Sequence, residues 1–69
     1  MKNTLPQLRS ERGYSQQKLA DLLGVSRQTI ISIERGRFDP SLPLAFAIAR
    51  TFDLHIEDIF VPEDDALSA

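Results

Sequence analysis

The side chains best equipped for chemistry lie in one run of 20 residues, Gln16 to Arg35, which reads QQKLADLLGVSRQTIISIER. At helical spacing, its second half turns Arg27, Gln28, Ile31, Ser32 and Arg35 to one outer face. Their chemistry is hydrogen bonding rather than bond making. An arginine can donate two hydrogen bonds to guanine O6 and N7, and a glutamine can pair bidentately with adenine N6 and N7. Nothing in a solvated helix face requires Arg27 or Gln28. Ser26, just before them, suits a helix cap alone or a cap that also meets a phosphate. Thr29 fits a structural role better than a contact. Ile31 fits lateral packing better than reading of a thymine methyl.

Catalytic arrangements are missing from the sequence. It has no glycine-rich phosphate loop, no nucleophile–base constellation and no carboxylates paired for acid–base work. His55 is the lone histidine and cysteine is absent, so His55 reads as a surface or cap residue rather than a metal ligand. The run Glu63-Asp64-Asp65 lacks the glycine and further oxygen ligands of a calcium loop. We expect no enzyme activity, cofactor, metal or small-molecule ligand.

Apolar residues recur at helical spacing, and no stretch of strict alternation argues for a strand. Start and stop signals predict five helices. The first runs from about Leu5 to Arg12, with Pro6 in its first turn and Gly13 as the stop. The second has Ser15 as N-cap, continues through Leu23 and stops at Gly24. A third begins after Ser26 and ends at Gly36. Ser41 caps a fourth that reaches about Phe52, and a short fifth spans Ile56 to Phe60. An apolar residue before a cap can pack on one five positions later. Tyr14 with Leu19, Val25 with Ile30 and Leu54 with Ile59 have that spacing. His55 is the weakest of the caps.

The second and third helices cross closely only if the turn between them holds a residue at ease with positive φ, which Gly24 supplies. Ala20 is small enough for close approach, and Leu19, Leu23, Val25, Ile30 and Ile33 supply the shared core. Leu44, Ile48 and Phe52, with Ala45 and Ala49, mark a core stripe on the fourth helix.

The 69 residues make one domain, with residues 1–61 as the bundle and residues 62–69 as an acidic tail expected to be loose. A net charge of −2 conceals a division along the chain. Residues 1–37 carry seven basic groups against three acidic, a net +4; residues 38–69 carry one against seven, a net −6. That asymmetry suits one face turned to a polyanion, though small domains also divide charge by chance. No apolar run approaches the roughly 20 residues that span a bilayer, and none resembles a signal peptide. With no cysteine, the chain fits a reducing cytoplasm.

With Arg9-x-x-x-Gly13 before it and Glu34-Arg35-Gly36 after it, the segment resembles the Cro/cI-type, or XRE, family of helix-turn-helix proteins. The likeness runs from Leu5 to Phe60 and includes Asp39-Pro40-Ser41-Leu42 and the closing Ile56-Glu57-Asp58-Ile59-Phe60. It implies an all-α, lambda-repressor-like five-helix bundle whose third helix enters the major groove of double-stranded DNA. Arg27 and Gln28 then stand where helix N-terminal residues reach base edges. Ser32 lies one turn further on, and Gln16 matches the position that grips a phosphate. Ser26 and Thr29 add hydroxyl contacts to the backbone, and Arg35 and Arg37 anchor flanking phosphates. Arg9 and Glu34 match positions that form a partly buried ion pair tying the first helix to the third, without touching DNA.

The resemblance makes a sequence-specific regulator the leading expectation, a repressor binding a roughly palindromic operator as a homodimer. It places the dimer contact in the C-terminal part, where Ile59-Phe60-Val61 is an apolar candidate that would equally close the monomer core. The alternative is an antitoxin or other interaction protein whose C-terminal tail engages a partner. A third possibility, a bundle that has lost DNA binding, sits poorly with Gln16, Arg27, Gln28 and Arg37.

Overall fold

A computed structural model describes residues 1–62. Helices α1 (Leu5–Glu11), α2 (Gln16–Leu23), α3 (Arg27–Glu34), α4 (Leu42–Phe52) and α5 (Ile56–Ile59) follow in that order. The acidic tail, apart from Pro62, lies outside the described residues.

Local chemistry accounts for the helix starts. The side chains of Ser15, Ser26 and Ser41 accept hydrogen bonds from the backbone N–H groups of Lys18, Thr29 and Leu44 at 3.0, 3.2 and 3.3 Å. Each satisfies one of the donors that a helix start leaves unpaired. At α5 the carboxylate of Asp58 accepts from the N–H of His55 at 3.1 Å, which compensates for a poor capping residue.

The four longer helices all close with the same pair of bonds. An N–H two or three residues past the end reaches back to a carbonyl five positions earlier, as in Val25 to Ala20 (3.0 Å), and its predecessor bonds three positions back. This motif needs a left-handed residue. Gly13, Gly24 and Gly36 fill that position on α1, α2 and α3. On α4 it is Asp53, at φ 55°, which the sequence did not mark as a stop.

The strictly helical expectation needs one correction. Lys2–Asn3 (β1) and Phe60–Val61 (β2) pair antiparallel, Lys2 opposite Val61 and Asn3 opposite Phe60. Two-residue strands are too short to show alternation, so the sequence pattern carries no trace of them. The ribbon also takes Phe60 out of α5, and the N–H of Thr4 bonds to the carbonyl of Ile59 at 2.9 Å.

Leu5, Leu19, Ala20, Ile30, Ile48 and Ile59 are wholly buried at the centre, joined by Ile33, Phe52 and Phe60. Tyr14 and Val25 pack against this cluster as their spacing predicts, but Leu54 stays 38% exposed. Ile59 and Phe60 thus close the monomer core, and of that candidate dimer run only Val61 is exposed. Among the described residues no helix is long and apolar enough to cross a membrane.

Candidate nucleic-acid interface

Helices α2 and α3 are set by the turn between them. Gly24 holds φ at 71°, and a Cβ added there would meet nothing within 4 Å. Its requirement is therefore conformational: an L-residue in this region costs about 1–2 kcal/mol. Ala20, wholly buried, and Ile30 and Ile33 beneath α3 let the two helices pack closely. This packing leaves the N-terminal turn of α3 outward, with Arg27 and Gln28 exposed as expected.

Gln16, at the start of α2, is held beside Arg27 by a chain of polar contacts. Arg9 donates from Nε to Glu34 Oε2 at 2.7 Å and from Nη2 to Oε1 at 3.4 Å. Its remaining arm donates to the carbonyl of Tyr14 at 2.9 Å. The amide of Gln16 donates to the same carboxylate at 3.2 Å and accepts from Arg27 Nη2 at 3.4 Å. The Arg9 and Glu34 side chains are 19% and 7% exposed. The ion pair expected from the family likeness is therefore present, and it also braces the amide of Gln16. Arg9, Ser15, Gln16, Gln17 and Arg27 line an open cleft of about 520 Å³ at the start of α2. The partial positive charge of a helix N-terminus and the exposed guanidinium of Arg27 make this cleft favourable for an anion.

A second cleft, about 170 Å³, runs along the outer face of α3 and is lined by Ser26, Gln28, Thr29, Ser32 and Phe38. Ser26 Oγ lies 2.9 Å from Thr29 Oγ1, and Gln28 Nε2 donates to Ser32 Oγ at 3.3 Å. Thr29 is thus engaged with the cap, consistent with its structural reading. Among the described residues, the side chains of Gln28 and Ser32 bond to each other and to no third group, so this part of the face is open to a polar ligand. Ile31 is half-buried and lies outside the core cluster.

Arg35 and Arg37 sit apart from these clefts, on the turn that ends α3. Arg35 is exposed and lines a further cleft of about 480 Å³ with Met1, Lys2, Asn3, Glu34 and Gly36. Arg37 is exposed beyond Gly36, its N–H bonded to the carbonyl of Ser32 at 3.0 Å. The site residues therefore fall into three neighbouring groups along α3, not one pocket.

Two residues of this region escape sequence reasoning. Asn3 donates to the carbonyl of Ile33 at 2.9 Å and accepts from the N–H of Leu5 at 3.1 Å, so it ties the end of α3 to the start of α1. A partner 30 positions away leaves no local signal. Phe38 is 47% exposed beside Gln28 and Ser32, on the segment after Gly36 where no residue pattern marks it.

Comparison with known proteins agrees with this geometry. A family model described as helix-turn-helix matches residues 7–59. An HTH-type transcriptional regulator of Methanocaldococcus jannaschii is 58% identical over 65 residues, covering 94% of this chain and 98% of that protein. The HTH-type transcriptional regulator YgzD of Bacillus subtilis is 46% identical, with the same coverage of 94% and 98%. Among solved structures, the restriction-modification controller protein C.AhdI from Aeromonas hydrophila superposes with a TM-score of 0.72 at 34% identity, over 81% of this chain and 85% of that one. The chain belongs to the helix-turn-helix family of XRE-type, DNA-binding transcriptional regulators.

Proposed function

We propose that this helix-turn-helix protein is a repressor that binds a two-fold symmetric operator as a homodimer, with α3 in the major groove of each half-site. The observation that carries the reading is the first turn of α3, where Arg27 and Gln28 are exposed while Gln16 is braced beside them. A B-DNA major groove admits one helix, and residues at that helix's N-terminus meet base edges. Gln16 and the start of α2 then face the phosphates on one side, and Arg35 and Arg37 those on the other. Repression follows from occupancy, since a bound dimer excludes other proteins from the same stretch of DNA.

Exposed apolar surface on α4 and at the start of α5 supports a dimer. Phe46 and Leu54, 46% and 38% exposed, line a cleft with Ala49, Ile56, Arg50 and Glu57. A second copy covers it by two-fold symmetry, where Arg50 of each copy can approach Glu57 of the other. This surface replaces Ile59 and Phe60, which the monomer already buries.

Selection of bound sequences from a random duplex pool, at near-physiological salt, tests the reading. The expected product is a two-fold symmetric site with half-sites about 34 Å apart, one helical turn. Recovery of only salt-sensitive, sequence-blind binding would refute it and turn attention to a protein partner.

A further inference from the structure

We infer that Phe38 forms one wall of a thymine-reading subsite, with Gln28 and Ser32 as its polar wall. The inference rests on the reading of α3 as the base-contacting helix and assigns one base edge to one cleft. In the major groove thymine presents a hydrogen-bond acceptor, O4, beside an apolar C5 methyl. No other DNA base offers that pair. The cleft along α3 matches it: the Gln28 amide and the Ser32 hydroxyl supply donors, and the Phe38 ring supplies the apolar surface.

The backbone of the turn that carries Phe38 is constrained on both sides. Gly36 at φ +74° and the bonds from Gly36 to Ile33 (2.9 Å) and from Arg37 to Ser32 (3.0 Å) bring the chain back over α3. Pro40 then restricts Asp39, so Phe38 sits between two constrained positions. The ring is also absent from the hydrophobic core, so packing does not account for its size. Ile31, for which the sequence favours lateral packing over methyl reading, does not line this cleft.

The test uses the full chain and the duplex recovered by the selection described above. Each thymine of a half-site is replaced in turn by deoxyuridine, which removes the methyl and leaves O4. One position is expected to weaken binding about fourfold, the effect of one buried methyl group. In Phe38→Ala the same replacement should have no effect, while Phe38→Leu, which keeps an apolar side chain, should retain part of it. Circular dichroism confirms that both variants are folded. A fourfold effect that persists unchanged in Phe38→Ala would overturn the proposal and point to Ile31. Wild-type binding indifferent to every such replacement would overturn it as well, with the DNA-binding reading intact. Failure to recover any specific duplex would remove that reading, and the subsite with it.

Discussion

Replacing Glu34 by glutamine tests whether the ion pair at the end of α3 sustains both the fold and the interface. The carboxylate accepts from Arg9 at 2.7 and 3.4 Å and from Gln16 at 3.2 Å, and its side chain is only 7% exposed. Unit charges about 4 Å apart attract by roughly 4 kcal/mol at an effective dielectric near 20, and desolvation offsets part of this. Breaking a buried pair typically costs ~3–5 kcal/mol, because the remaining charge is stranded. Arg9 is 19% exposed and keeps its bond to Tyr14, so it recovers some hydration. We expect Glu34→Gln to cost about 2–4 kcal/mol. A domain of this size has roughly 3–10 kcal/mol in total, so the loss is a large fraction. Urea denaturation followed by circular dichroism measures it. The cost should persist at 1 M salt, where the screening length falls to about 3 Å, because the pair is shielded from ions. Arg9→Met combined with Glu34→Leu should recover most of the loss, since no charge is then left unpaired. A single-variant cost below about 1 kcal/mol, or one abolished by salt, would show that the pair behaves as an ordinary surface contact and refute the argument.

Other substitutions separate reading from positioning. Gln28→Ala should weaken binding to the selected site by about 1–3 kcal/mol and relax one base position; equal losses on specific and random duplexes would remove Gln28 from the base-reading set. Arg37→Ala should weaken all duplexes alike and lower the slope of log affinity against log salt by about one, as measured by titration across salt concentrations. Gly24→Ala should lower stability by about 1–2 kcal/mol in urea melts, from the φ of 71° alone, since the added methyl meets no neighbour. Asp53→Gly should raise stability by about 0.5–1 kcal/mol in the same assay, because α4 ends on a non-glycine residue at φ 55°.

The division between what was legible in the sequence and what was not follows the range of the interactions. Ser15, Ser26 and Ser41 act on backbone groups three residues away, and Gly13, Gly24 and Gly36 act through their own φ, so helix limits could be read one residue type at a time. The apolar stripes beneath α2, α3 and α4 were equally readable, because each repeats within a single helix. From these came the bundle, the turn and an exposed Arg27 and Gln28. Asp53 escaped because its left-handed conformation carries no residue-type signature as strong as glycine's. Tertiary structure decided the rest. Only the meeting of the two chain ends shows that Phe60 belongs to a ribbon with Asn3 and faces the core instead of a second copy. Only packing places Asn3 on the end of α3, the amide of Gln16 between Glu34 and Arg27, and the ring of Phe38 beside Gln28. Except for Phe38, these contacts join positions 11 to 57 residues apart, and even the ring reaches Gln28 only because the turn at Gly36 folds the chain back. No local pattern of residue types encodes distances that arise when separate helices are brought together.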